Sequence, residues 1–296
     1  LAAEITLQPV RRHGVDAAIF FSDIVVPVKS AGVDVVITPG VGPVVAEPFA
    51  AQSDLARLPA PTPDMFDAVA AGVRTTVAEL GATPLIGFAG APFTVASYLI
   101  EGGPSRDLPR TKAMIIREPE LFSALLGRLA DLAATFLRVQ ILAGASAMQL
   151  FDSWVGALPA RLYREHVLPH SERVFAQVAD LGVPRVHFGV GANHLAEDMA
   201  GAGCDVLGVD FRVDLDDVDP GIRARMPLQG NLDPAVLLTD EATIEAEVRR
   251  VLTAGRGLRG HVFNLGHGVL PDTPADNVTA AVRAVQEFGE PFQGGS

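Results

Sequence analysis

The sequence predicts an α/β protein built on a parallel sheet. Short β-rich apolar runs end in Gly, Asp, Asn or His and are each followed by a more helical stretch, and the runs barely alternate polar with apolar residues. The rhythm is that of successive βα units, and the lack of alternation is what strands covered on both faces require. Seven runs qualify: Ala17 to Ser22, Pro84 to Phe88, Ala147 to Phe151, Arg185 to Phe188, Val206 to Val209, Met226 to Gln229 and His261 to Leu265. An open doubly wound sheet and an eight-stranded barrel short of one strand both accommodate them.

Helices are expected between the strands at Met65 to Leu80, Glu118 to Ala143 with a break, Pro159 to Leu181, His194 to Ala200, Thr239 to Ala254 and Pro274 to Phe288. In the last of these Thr273 is the expected cap, Pro274 the first-turn proline, and Val278, Val282 and Val285 the apolar stripe. Thr239 gives half a cap signature for the helix before it. Residues 1 to 10 read as the body of a helix with no cap and no strand before it, so in a barrel the first strand belongs upstream. The segment Pro27 to Pro63 is broken by Gly32, Pro39, Gly40, Gly42, Pro43 and Pro48. It reads as an excursion with short β pieces, either a loop on the active face or a hairpin covering a rim.

Composition narrows the function. The 296 residues, 49% apolar and 20% charged, form one sizeable core, and we take 1–296 as a single domain. A formal charge of −12 disfavours nucleic-acid binding and polybasic attachment to membranes. No apolar run reaches the roughly 20 residues that span a bilayer. A single cysteine, Cys204, leaves no disulfide framework or thiolate cluster, and a reducing, cytoplasmic setting is expected. Neither the dinucleotide G-x-G-x-x-G turn nor the phosphate-binding G-x-x-x-x-G-K-[ST] loop occurs, so nucleotide cofactors find no support. Lysine appears only at Lys29 and Lys112, which indicates neither a Schiff base nor a lysine-rich phosphate site.

Side chains at strand carboxyl ends converge on one pocket in a barrel. Asp23 follows a nearly continuous apolar run, so its charge needs a partner; it either caps the next turn, faces a ligand, or does both. Small residues from Gly87 to Ala91 allow a backbone to approach a bulky ligand or make a tight turn. Tyr98 offers a phenol that either donates to a ligand or lies at the core edge. Glu101 to Lys112, with Arg106 and Arg110, reads as a flexible basic loop and candidate lid. Phe151-Asp152-Ser153-Trp154 sets a hydroxyl beside the only tryptophan without the G-x-S-x-G surroundings of a nucleophile. His267, between Gly266 and Gly268, has an uncrowded imidazole suited to holding an N–H or a carboxylate.

Five segments together resemble the uroporphyrinogen decarboxylase family: Asp16 to Ile24, Gly87 to Thr94 with Tyr98 and Glu101-Gly102-Gly103, Gln149 to Trp154, Gln229 to Pro234, and Asn264 to Gly268. The resemblance implies a (β/α)8 TIM barrel, here missing its first strand, and a homodimer in the cytoplasm. The implied reaction converts the four acetates of uroporphyrinogen III to methyl groups without metal or organic cofactor, through partly decarboxylated intermediates, to coproporphyrinogen III in haem biosynthesis. By the same likeness Asp23 binds the pyrrole N–H groups, Tyr98, Ser153 and His267 are its polar partners, and Phe151 and Phe88 receive the macrocycle. Arg212 is the main cation at the strand ends for substrate carboxylates, with Arg106 or Arg110 from the loop. The family's N-terminal arginine-containing segment has no copy in this sequence. Two other readings are a corrinoid-linked methyltransferase, whose zinc needs thiol and histidine ligands that a lone Cys204 does not supply, and a tetrapyrrole carrier without chemistry.

Overall fold

A computed structural model describes residues 1–289, so the last residues of the expected 1–296 domain lie outside the described part. Seven strands form one parallel sheet in the order β1 (Ala18–Ile19), β4 (Leu85–Gly90), β5 (Ala147–Asp152), β6 (Arg185–Gly189), β7 (Val206–Gly208), β8 (Leu228–Gln229) and β9 (His261–Val262). Each falls on an expected run. Two further strands, β2 (Val35–Thr38) and β3 (Gly42–Val45), make an antiparallel hairpin in the irregular excursion after β1.

The sheet is curled. Gln229 on β8 donates from its side-chain amide to Gln149 on β5 at 3.0 Å, although β6 and β7 lie between them in the sheet. Both amides are buried, and each meets part of the other's hydrogen-bonding need inside an apolar interior. The helix layer follows the curl round. The first helix, Ala2–His13, and the last, Ala275–Phe288, touch through His13 Nδ1 and Thr279 Oγ1 at 2.7 Å, while Gln286 donates to the Gly14 carbonyl at 2.8 Å. The described strands form a curled half-barrel whose edges are β1 and β9.

The longest helix, Pro119–Leu142, runs unbroken where a break was expected. Phe122, Leu126, Leu129, Ala133 and Phe136 recur at three- and four-residue spacing within a wide buried face that packs on neighbouring helices as well as on the sheet. The expected helix Pro159 to Leu181 divides instead into Ala160–His166 and Leu168–Val178. Pro169 has no N–H to continue the first helix and sits comfortably in the first turn of the second. Pro109–Arg117, expected as part of a flexible loop, is a helix. Glu101 reaches across to accept from both the backbone N–H (2.8 Å) and the hydroxyl (2.9 Å) of Thr111, which supplies the partner its first turn lacks. Two expected caps are displaced. Asp240, not Thr239, accepts from the Thr243 N–H at 2.9 Å, and Pro274 occupies the cap position assigned to Thr273.

Because the Gln149 face of β5 looks inward, Leu150 and Asp152 look out towards the helices, as does His187, which pairs with Leu150 across the sheet. His187 is fully buried with Nδ1 3.3 Å from the Met199 carbonyl and its ring edge-on to Phe175. Burial depresses its pKa to about 4. Asp152 is equally buried, and burial raises its pKa to about 7 against the opposing hydrogen bond from Thr94. Between the ordinary histidine value and about 4, the unfolded chain binds more protons at His187, so acidification destabilises. Between the ordinary carboxylate value and about 7, the folded chain binds more at Asp152, so acidification stabilises. Each group has a limiting slope of about 1.4 kcal/mol per pH unit, and the two oppose one another. Urea unfolding of His187→Phe across this range should therefore show stability gained on acidification relative to wild type, and Asp152→Asn the reverse. Identical pH slopes in all three proteins would contradict the assignment.

Candidate active site at the carboxyl rim of the sheet

Asp23 leaves the end of β1 in a tight turn. One carboxylate oxygen accepts the Val25 N–H at 3.0 Å and the Asp23 carbonyl accepts the Val26 N–H at 3.1 Å, so the residue closes a tight turn ahead of the short helix Val26–Ser30, whose cap position is Val25. The turn uses one oxygen; among the described residues the other makes no hydrogen bond, and the side chain is half-buried. The next residue, Ile24, fixes the turn against β4. A Cβ on Gly90 would lie 2.9 Å from that of Ile24 and 2.7 Å from Val95, so only glycine admits this approach.

The helix after β4, Pro92–Glu101, carries Tyr98. Its half-buried ring stacks on Trp154 with centroids 4.0 Å apart and planes at 27°. Burial, and then the negative charge of Asp23, push its phenol up to about 12. Tyr98 thus keeps its proton and stands within electrostatic reach of Asp23 as a hydrogen-bond donor. Among the described residues the two share no hydrogen bond, and what links them is the charge of Asp23.

The inward face supplies an aromatic row. Phe88 on β4 meets Phe151 on β5 edge-on at 5.5 Å, and Phe151 meets Phe188 on β6 at 6.0 Å. Phe188 was not among the expected site residues. Its register opposite Phe151 puts it on the same face, and register is what a single strand's composition does not reveal. Ser153 follows β5, half-buried, and Asp152 before it is buried and accepts from the Thr94 hydroxyl at 2.7 Å.

The opposite side of the rim is differently organised. Buried Asp210, following β7, accepts from the Gly191 N–H and from the Arg212 guanidinium, each at 2.5 Å. Arg212 also lies over the Phe211 ring at 4.5 Å, so it is an already partnered cation rather than a free one. Asn231 donates to the Asp210 and Val213 carbonyls, and Asp233 accepts from the Ala235 N–H at 2.8 Å; both hold the backbone. A Cβ on Gly266 would collide with the Phe211 backbone, which draws the Gly266–Gly268 turn against the segment bearing Arg212. His267 itself is exposed. No described hydrogen bond or ion pair joins His267 or Arg212 to Asp23 or Tyr98. In the basic segment Arg106 is exposed, and Arg110 donates to the Glu101 carbonyl at 3.4 Å.

Burial pushes the Cys204 thiol up to about 12, which holds it protonated and makes it a poor metal ligand. Among the described residues no cluster of three or more His, Cys, Asp or Glu is placed to hold a metal ion, and no helix is long and apolar enough to cross a membrane.

Comparison with known proteins accords with this geometry. The sequence profile of the family described as uroporphyrinogen decarboxylase (URO-D) matches residues 1–288. The uroporphyrinogen decarboxylase of Streptomyces coelicolor is 58% identical over 96% of this chain and 80% of its own length. That of Rhodococcus erythropolis is 57% identical over 97% of this chain and 82% of its own length. Among solved structures, a methyltransferase from Methanosarcina mazei is similar with a TM-score of 0.82 over 97% of this chain and 85% of its own. A B12-independent methionine synthase from a Shewanella species reaches 0.61 over 97% and 87%. At 22% and 12% identity these two share the fold alone. The chain belongs to the uroporphyrinogen decarboxylase family.

Proposed function

We propose that this protein removes the carboxyl groups of the four acetate side chains of uroporphyrinogen III, giving coproporphyrinogen III and four carbon dioxide molecules. The observation that carries the proposal is the carboxylate of Asp23, fixed by its own turn at the rim beside a phenol that stays protonated. Four pyrrole N–H groups converge on the centre of the reduced macrocycle, and one anion accepts from all of them. The aromatic row Phe88 and Phe151 gives the ring an apolar face and excludes water.

The chemistry follows from the substrate. A proton added to an electron-rich pyrrole carbon leaves the ring cationic and conjugated with the acetate methylene. The bond from methylene to carboxylate then breaks, its electron pair neutralises the ring and carbon dioxide departs; a second proton on the exocyclic methylene completes the methyl group, and the ring carbon gives up the first proton to restore the pyrrole, so each acetate consumes one proton net. Asp23 stabilises the cation by a charge fixed before the reaction begins. Tyr98, Ser153 and His267 are donors to the substrate's carboxylates in this reading. Arg212 takes part with the guanidinium N–H groups that it does not give to Asp210.

The same reading makes the sheet an eight-stranded barrel within one domain. Ile19, Phe21 and Val262 belong to the edges of the curled sheet and are 39%, 53% and 47% exposed. One further strand pairing with both β1 and β9 would cover them, and the family resemblance puts cationic residues on that strand. A homodimer in the cytoplasm is the working state the resemblance implies.

Anaerobic incubation of the protein with reduced uroporphyrinogen, followed by separation of the seven-, six-, five- and four-carboxylate porphyrinogens, tests the reaction directly. Tight binding with no carbon dioxide would select a carrier instead. Asp23→Ala should leave the fold intact and lower carbon dioxide release sharply. Asp23→Glu keeps the charge but displaces it, and a shift of about 1 Å costs roughly 100-fold. Wild-type turnover in either variant would contradict the role of Asp23. Removing the Tyr98 hydroxyl in Tyr98→Phe should lower kcat/KM about 10-fold, the worth of one hydrogen bond, and an unchanged value would take Tyr98 out of the site.

A further inference from the structure

Behind the pocket wall lies a buried carboxyl with no part in the reaction just described. Asp152 is the last residue of β5, between Phe151, which faces the macrocycle side, and Ser153. Its own side chain points the other way and is wholly inaccessible. Placing a carboxyl there is costly, and a structural position on a β-strand is ordinarily filled by an apolar residue.

Its one described hydrogen bond is informative. The hydroxyl of Thr94, itself fully buried, donates to Asp152 at 2.7 Å. The same hydroxyl oxygen accepts the backbone N–H of Trp154 at 3.2 Å. Thr94 thus has its lone proton committed to Asp152, which orients its lone pairs towards Trp154. Trp154 in turn carries the ring that stacks on Tyr98. Thr94 and Tyr98 are four residues apart on the helix Pro92–Glu101 and share a face of it. A second tie, the Ala91 N–H donating to the Phe151 carbonyl at 2.8 Å, joins the same two segments one layer nearer the sheet.

We propose that Asp152 is a positioning residue: through the Thr94 hydroxyl it sets the spacing between the β5 end and the Tyr98 helix, and so holds Trp154 and Tyr98 where Tyr98 meets the substrate bound at Asp23. The proposal deepens the decarboxylase reading and rests on it for the substrate. The linkage runs from Asp152 to Thr94, to Trp154, to Tyr98, and each step is a contact of stated geometry. Replacing the hydroxyl leaves the Trp154 backbone N–H without its acceptor and lets the stack slide, replacing Asp152 leaves the hydroxyl without the carboxylate that orients it, and a hydroxyl at position 94 from any residue of similar size restores the link.

The test uses Trp154 as its own reporter, because it is the only tryptophan in the chain. Trp154 emission and near-ultraviolet circular dichroism are measured on Thr94→Val, Thr94→Ser and Asp152→Asn, together with kcat and KM for anaerobic decarboxylation of uroporphyrinogen. Thr94→Val should alter the Trp154 signal and lower kcat/KM by roughly 10- to 100-fold, within the range that small misplacements produce. Thr94→Ser should return both towards wild type. Thr94→Val is close in shape to threonine, so it keeps the question open to measurement if Asp152→Asn fails to fold. A folded Thr94→Val protein with wild-type Trp154 signal, or with an altered signal and wild-type kcat/KM, overturns the proposal, as does Thr94→Ser behaving like Thr94→Val. The optical readout is independent of turnover. If the wild-type protein releases no carbon dioxide, the decarboxylase reading fails by itself, and the positioning claim fails separately if the Trp154 signal ignores Thr94.

Discussion

Everything at the rim depends on parallel strands that curl. A parallel sheet returns each connection through a helix, so all seven carboxyl ends emerge on one side. The curl then turns a row of strand ends into an arc facing a common space. The buried amide pair of Gln149 and Gln229 is the contact that records this curl, since it spans strands separated by two others. Asp23 after β1, Ser153 after β5, Arg212 after β7 and His267 after β9 lie far apart in sequence and share this rim for that reason alone.

Within the arc, charge is distributed unevenly and with chemical sense. On the β1–β5 side stand an anion with one oxygen bound to its own backbone, a protonated phenol and an aromatic row. That combination suits the converging N–H groups and the individually flat pyrrole rings of a reduced tetrapyrrole. On the β7–β9 side the cation Arg212 is already joined to buried Asp210, so in the proposed reading a substrate carboxylate there would share it rather than capture it outright. Sharing lowers the local positive charge but holds the guanidinium rigidly, and a preorganised donor loses less freedom when a ligand arrives.

The strand runs were legible because burial on both faces leaves an apolar signature that few other elements share. Asp23, Tyr98, Phe88 and Phe151 could be singled out as candidates because they stand at or just beyond such runs, or in segments that resemble the family. What the sequence concealed are facts of pairing. Phe188 joins the aromatic row through register with Phe151, Arg212 is tied to Asp210 two residues away, and Thr94 meets Asp152 across 58 positions of chain. The helix Pro109–Arg117 was hidden for a similar reason. Its basic, proline-led sequence reads as a loop until Glu101, from the preceding helix, supplies its first turn with an acceptor. The interrupted Pro159–Leu181 segment shows the converse, a proline whose consequence was readable and was passed over.

The central claim is that one carboxylate, on Asp23, gathers the ring nitrogens of the substrate. An anaerobic crystal structure of the protein with coproporphyrinogen bound tests it most directly. The expected result has the pyrrole N–H groups converging on Asp23 with the macrocycle against Phe88 and Phe151. A product ring seated elsewhere on the molecule, or seated at the rim with its nitrogens turned away from Asp23, would contradict it.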